Sequence, residues 1–218
     1  CVTSHPDVLA IGECALWSGK IFGLVAPGYQ MARSAVSTLL GGETRFKGAD
    51  MSTKLKLMGV DVGAIGDSHA ATAGAQELLL LDRPSGIYKK LVTDETGKIL
   101  LGAILIGDNS DYDQLLQFYL NKMELPDPAL SLLLPEGGSA KPTSLALPDT
   151  ATICSCHNVT KGDVVAAVKA GNHTVADVKA CTKAGTGCGG CSNLLKQVVD
   201  QALTEMGMEA NNHVCEHF

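Results

Sequence analysis

Cys154-Ser-Cys156 and Cys188-Gly-Gly-Cys191 set two pairs of thiols into one chain, each pair short enough to close a chelate around a single metal. Four thiolates are the ligand set of a [2Fe–2S] cluster or of a tetrahedral zinc. Zinc ribbons more often carry two Cys-x-x-Cys knuckles, so the Cys-x-Cys pair points first to iron and sulfur; zinc, a redox dithiol and purely structural cysteines stay open. Gly185, Gly187, Gly189 and Gly190 remove side chains where the backbone must wrap closely around such a centre. The expectation is that backbone N–H groups at helix starts point at the sulfurs, since Cys156 precedes one helix-like stretch and Cys191 opens another.

The elements that would carry these thiols can be read from caps and apolar spacing. Thr160 with Asp163 predicts a capping box, followed by Val164, Val165 and Val168 and stopped by Gly171. Thr174 with Asp177 repeats the cap, and Leu194, Leu195, Val198, Val199 and Ala202 form a stripe that ends near Gly207. A helical unit of about fifty residues is marginal on its core alone, so a bound metal would add what the core lacks. Gly185-Thr-Gly187-Cys-Gly-Gly190 also matches the dinucleotide fingerprint in form. That fingerprint needs a preceding strand and an acidic residue about twenty positions on, and here a helix precedes it and a thiol sits inside it, so the match is accidental.

The remaining sulfur and imidazole groups carry less. Cys14 reads as a small buried residue and Cys181 as a thiol near an already complete set of four. Cys1 and Cys215 stand at the ends, with His213 and His217 around the latter as a weak chelate. His69, His157 and His173 read as loop or surface residues, His157 with the added interest of adjoining Cys156.

Ahead of this region the patterning is mixed. Residues 7–12 form an apolar run fit for a buried strand. A helix starts near Pro27, with Ala32, Ala35, Val36, Leu39 and Leu40 on one face and Gly41-Gly42 as its stop. Lys54–Met58 alternates, placing Leu55 and Leu57 on one face, and Val60–Ile65 is a second strand. Ile87–Val92 and Ile99–Ile106 flank the polar turn at 93–97 and predict a hairpin. Tyr112, Leu115, Leu116 and Tyr119 then lie on one side of an amphipathic helix. Five of the eight prolines fall between 125 and 152, beside Glu136-Gly-Gly-Ser139, which predicts a linker. The divisions are therefore 1–44, an α+β layer at 45–124, the linker 125–152, a small all-α domain at 153–205, and the start of a further segment at 206–218.

Composition excludes several roles. A formal charge of −6 with 4% aromatics leaves no basic stripe or stacking platform for nucleic acid. No apolar run approaches a membrane span. The sequons at Asn158 and Asn172 suit a secreted chain, but the cysteines gather toward one end instead of stapling the whole, so a reducing cytoplasm is expected. The chain opens on Cys1 with no charged-then-apolar leader, and it is expected to be a piece of a longer protein.

The residues themselves carry three resemblances. Cys154-Ser-Cys156-His-Asn, followed by Gly185-Thr-Gly-Cys188-Gly-Gly-Cys191, resembles the [2Fe–2S] domain of bacterioferritin-associated ferredoxin and its relatives, which implies that Cys154, Cys156, Cys188 and Cys191 are the cluster ligands. Thr3-Ser-His-Pro-Asp-Val-Leu-Ala-Ile-Gly-Glu13-Cys-Ala resembles the second FAD-contacting motif of pyridine-nucleotide–disulfide-type reductases. That likeness implies FAD contacts at Gly12 and Glu13, with Glu13 in the place usually held by an Asp that bonds the ribityl chain. The order of the parts, with Ala49–Asp61 between them, is similar to that of the large-subunit family of assimilatory NAD(P)H nitrite reductases. The family implies an α+β chain made of an α/β FAD-domain remnant, a reductase C-terminal interface domain and the all-α cluster domain.

It further implies electron flow from NAD(P)H through FAD and the cluster toward a sirohaem and [4Fe–4S] centre downstream, where nitrite becomes ammonium. The partners implied are the upstream FAD/NAD(P)H and downstream sirohaem domains of the same chain, a second copy in a homodimer, and room for a small subunit. No residue of this segment is expected to act as acid, base or nucleophile, and the segment alone is not expected to hold FAD. The electron-transfer subunit of assimilatory nitrate reductase shares this order of modules, and a zinc-stabilised interaction module is the reading from another class.

Overall fold

The computed structural model describes residues 1–134, 147–187 and 189–209. Two compact units make up the chain, residues 1–51 and 52–218.

The first unit is built on three aromatic rings. Strands β1 (Leu16–Trp17) and β2 (Lys20–Ile21) form a tight antiparallel hairpin behind a 3-10 turn at Gly12–Cys14, and helix α1 (Val25–Leu39) follows. Trp17, Phe22 and Phe46 meet edge to face at centroid distances of 5.2–6.1 Å, an arrangement that sets ring edges against ring faces. Met31 packs against this trio, so the buried side of α1 is Pro27, Met31, Ser34 and Ala35. The start at Pro27 and the stop before Gly41 agree with the sequence, but the buried face is rotated, leaving Val36, Leu39 and Leu40 exposed. The rotation buries a polar residue, and Ser34 is satisfied there: its Oγ accepts from Phe46 N–H at 3.0 Å and donates to the Thr44 carbonyl at 3.4 Å. Residues 7–12 are not the buried strand expected. Leu9 makes a lone bridge to Val2, and Val8 and Ile11 are 49% and 42% exposed. A buried strand needs a neighbour for its backbone groups, and the nearest strands of this unit are paired to each other.

The second unit centres on a five-stranded antiparallel sheet in the order β3-β4-β7-β6-β5. Its strands are β3 (Thr53–Leu57), β4 (Val60–Gly66), β5 (Gln76–Asp82), β6 (Ile87–Thr93) and β7 (Leu100–Ile106). The hairpin expected at 87–106 is β6–β7, and its turn is tied by Asp94, whose carboxylate accepts from the N–H groups of Lys98 at 2.9 Å and Ile99 at 3.1 Å. These bonds, with Ile99 the strongest, hold the Asp94 carboxyl below its usual range. Strand β5 has no counterpart in the sequence reading. Leu78–Leu81 is an unbroken apolar run, and only the pairing register shows that Leu78 and Leu80 face the core while Leu79 and Leu81 face out.

Helix α2 (Tyr112–Asn121) covers one face of the sheet. Tyr112, Leu115 and Phe118 join Ile65, Leu91, Ala103 and Leu105 in the core, so the helix buries Phe118 and Gln117 in addition to the expected Tyr112 and Leu115. Leu55 and Leu57 do share a face, as alternation requires, but it is the face opposite α2, where they are exposed. The stretch expected as a linker begins as packed chain: Leu125 N–H donates to the Lys98 carbonyl at 2.8 Å, and a 3-10 turn at Ala129–Leu133 sets Leu132 and Leu133 into the same core. Pro135, Pro142 and Glu136-Gly-Gly-Ser139 lie outside the described residues.

A charged triad sits at the edge of this layer. Lys89, buried on β6, donates to Asp108 and Asp111 at 2.6 Å each. Burial alone would push the Lys89 ammonium down, but the two carboxylates outweigh it and hold it above its usual range. For Asp108, burial pushes upward while Lys89 and Ser110 bring the carboxyl down to about 2. A depressed acid stabilises the fold fully above its unfolded value and loses that contribution as pH falls through the folded one. Because Asp108 is 38% exposed, solvent screening reduces the gain to about 1 kcal/mol. Urea midpoints of the wild type and Asp108→Asn should therefore differ at pH 7 and converge toward pH 2; a gap that stays constant with pH would contradict the assignment.

The last part of the chain is α-helical with one short hairpin, β8 (Thr152–Cys154) and β9 (Val159–Thr160), ahead of α3 (Lys161–Lys169), α4 (Val175–Thr182) and α5 (Ser192–Glu205). The hairpin corrects the all-α expectation. Both predicted caps are present: Thr160 accepts from Asp163 N–H at 3.2 Å with the reciprocal bond at 2.9 Å, and Thr174 accepts from Asp177 N–H at 3.1 Å. Val164, Val168, Val178, Leu195, Val198, Val199 and Ala202 fill the space between the three helices. This bundle is joined to α2 of the sheet by a polar clamp. Asn121 Oδ1 accepts from Thr152 N–H at 2.8 Å, and its amide donates to the buried Gln117 at 3.0 Å. Burial of Gln117, which the sequence alone did not call for, follows from this pairing. Among the described residues, no helix is long and apolar enough to cross a membrane.

Candidate metal centre

The β8–β9 hairpin, the loop after α4 and the start of α5 bring the thiols together. Cys154 is the last residue of β8 and is 2% exposed, Cys156 lies in the hairpin turn at 8%, and Cys191 is the N-cap of α5. The Cys154 thiol lies within hydrogen-bonding reach of the side chains of both Cys156 and Cys191. Those two neighbours hold it far below the usual thiol range; burial opposes them, and the N–H groups of Gly185 and His157 add to the lowering. That direction favours the thiolate, which is the form that ligates a metal. Cys188 lies outside the described residues. Taken without it, the described residues contain no group of three or more His, Cys, Asp or Glu side chains set to hold an ion alone. A two-iron centre takes two thiolates at each iron, so it does not require three sulfurs around one point.

The two N–H donors to Cys154 come from the hairpin turn, at His157, and from the glycine loop, at Gly185. Of the four glycines, Gly187 meets the expectation of a close approach, whereas nothing lies within 4 Å of a Cβ on Gly189. A Cβ on Gly187 would stand 3.2 Å from the Cys156 Cβ, tighter than side chains normally pack, and in ordinary contact with its Sγ at 3.5 Å. Gly187 is thus where the loop passes against Cys156. Two buried cysteines, backbone N–H groups aimed at the Cys154 sulfur and a glycine-rich loop packed against Cys156 fit a [2Fe–2S] centre.

The other cysteines are elsewhere. Cys14 is exposed on the 3-10 turn, its thiol donating to the Ile11 carbonyl at 3.3 Å, which overturns the expectation of burial. Cys181 is exposed on α4, and Cys1 donates to the Met31 carbonyl at 3.6 Å. His213, Cys215 and His217 lie outside the described residues, and His69 is exposed on the β4–β5 loop. His157 stands at the centre: its Nε2 is 3.3 Å from Thr186 Oγ1. Thr186 itself carried no sequence signal, since a lone Thr in a glycine loop has none.

Gly12 and Glu13 share the 3-10 turn, so Glu13 stands on a turn, not at the end of a strand as the motif implies. The Glu13 side chain is exposed, and Gly12 N–H points to Met31 Sδ at 3.1 Å. Gly23 lies beside the carboxylate: a Cβ there would stand 3.3 Å from Glu13 Oε1.

Fold and site together fit a segment built around a ferredoxin-like iron–sulfur centre. Residues 152–201 match the family described as the BFD-like [2Fe-2S] binding domain, and residues 52–122 match the rubredoxin NAD+ reductase C-terminal domain. Along its full length the chain is homologous to a segment of the NAD(P)H nitrite reductase large subunit. It is 57% identical to the nitrite reductase (NADH) large subunit of Escherichia coli K12 and 40% identical to the nitrite reductase [NAD(P)H] of Emericella nidulans, over 100% and 99% of this chain. It is 35% identical over 90% of its length to the assimilatory nitrate reductase electron transfer subunit of Bacillus subtilis 168. The chain spans only 26%, 22% and 25% of those three relatives.

Proposed function

We propose that this chain is the electron-transfer segment of an NAD(P)H-dependent nitrite reductase. The observation that carries the reading is that the Cys154 thiol reaches those of Cys156 and Cys191, with Gly187 packed against Cys156. A [2Fe–2S] cluster bound by Cys154, Cys156, Cys188 and Cys191 supplies a one-electron station between a two-electron flavin and its acceptor. The chain's own residues hold and shield that station. Burial of Cys154 and Cys156 keeps water from the sulfurs, and the N–H groups of His157 and Gly185 favour the more reduced, more negative state. Gly12 and Glu13 are the proposed FAD contacts, shared with a domain outside this chain. FAD and NAD(P)H upstream, a sirohaem and [4Fe–4S] centre downstream, a homodimer built on residues 45–124 and a cytoplasmic setting complete the proposal.

The match to a nitrate reductase electron transfer subunit supports a second reading, in which the same relay serves nitrate reduction. One experiment addresses the relay in the full-length protein. With Cys156→Ser, reduction of bound flavin by NAD(P)H should persist while nitrite reduction falls to background. Nitrite turnover at the wild-type rate would sink the relay, and flavin reduction without any nitrite activity in the wild type would favour the second reading.

A further inference from the structure

Two separate stretches of chain supply the thiols, 154–156 from the hairpin and 188–191 from the loop before α5, and something must set their spacing. Among the described residues, Thr186 and His157 make a side-chain bond between them, at 3.3 Å. The direction of that bond follows from proton counting. Thr186 has one hydroxyl proton, and it is directed at the Lys183 carbonyl at 2.8 Å, the shorter of its two contacts. The Thr186 oxygen is left as an acceptor, so the imidazole carries its proton on Nε2 and donates it across the gap. The Lys183 carbonyl in turn anchors Thr186 to the end of α4. A second contact marks the same crossing. A Cβ on Gly187 would stand 3.2 Å from the Cys156 Cβ and in contact with His157 Nε2 at 3.4 Å.

We propose that His157 and Thr186 form a clasp that holds the glycine loop against the Cys-x-Cys turn, fixing the distance between the two ligand pairs and slowing loss of the bound centre. Both are positioning residues, one step behind the ligands. The proposal rests on the cluster reading for its consequence and on the geometry alone for the contact.

The test uses the 218-residue chain in two measurements. In the chain without metal, two-bond proton–nitrogen correlation of the imidazoles should show His157 as the Nε2–H tautomer in the wild type and in Thr186→Ser, and a mixture of tautomers in Thr186→Val. In the iron-loaded chain, release to a chelator should be about fivefold faster in Thr186→Val and His157→Phe, the factor expected for one neutral hydrogen bond, and near wild type in Thr186→Ser. The double variant should be no faster than either single one, because both remove the same bond. Rates that multiply in the double variant, or a Thr186→Ser chain as fast as Thr186→Val, would overturn the clasp. A wild type that binds no iron would remove the cluster reading instead, and the ring signal would still decide the contact.

Discussion

Cys156→Ser should bleach the visible absorbance of the iron-loaded chain and accelerate amide exchange through α3 and α5, while β6 and β7 keep their protection. The serine oxygen is a poor thiolate substitute, and the site it spoils holds three elements together: the hairpin, the glycine loop and the N-cap of α5. A bound centre stabilises the folded chain through its differential binding, and its loss is expected to cost on the order of 3 kcal/mol or more. The helices should not unfold outright, since Val164, Val168, Leu195 and Val198 are buried among themselves and Asn121 ties the bundle to α2. Cys181→Ser is the matched control. That thiol is exposed on α4, and its variant should keep both colour and protection.

The second large effect lies in the sheet. Gly102 on β7 is crossed by the chain leaving β4, and a Cβ there would stand 2.3 Å from the Asp67 carbonyl carbon and 2.7 Å from Ser68 N. Both are backbone atoms, so no side-chain rotation relieves the clash, and β4 must separate from β7 to admit even one methyl group. Overpacking of this kind reaches the upper part of its range, about 3 kcal/mol. Gly102→Ala should lower the urea midpoint by that amount with an unchanged slope. Gly86→Ala is the contrast, because nothing lies within 4 Å of a Cβ there; its cost is limited to the backbone angle, about 1 kcal/mol. Equal losses for the two variants would show that the crossing at 102 yields more than its geometry allows.

Much of the cluster region was legible because its signals are local. A cap needs only Thr and Asp three apart, and both caps stand as read, as does the cysteine at the opening of α5. The β6–β7 hairpin was legible for the same reason, through the turn residues between its strands. What the sequence hid depends on partners distant along the chain. Four leucines in a row gave β5 no period, and its two faces exist only through register with β6. Val36 and Leu39 look like core until the aromatic trio shows which side of α1 is covered. Leu132 and Leu133 looked like linker because the prolines around them are real breakers of regular structure, yet a 3-10 turn still delivers both side chains to the core. The Asn121–Thr152 clamp and the His157–Thr186 contact join residues about thirty positions apart, with no periodic mark on either.

If these cysteines hold two iron atoms and pass single electrons, the reduced chain must be paramagnetic. Low-temperature EPR of the purified chain, before and after dithionite, tests it most directly. The oxidised form should be silent and the reduced form should give the signal of one unpaired electron per chain, with iron and acid-labile sulfide at two each. A colourless protein carrying one zinc and silent in both states would contradict it.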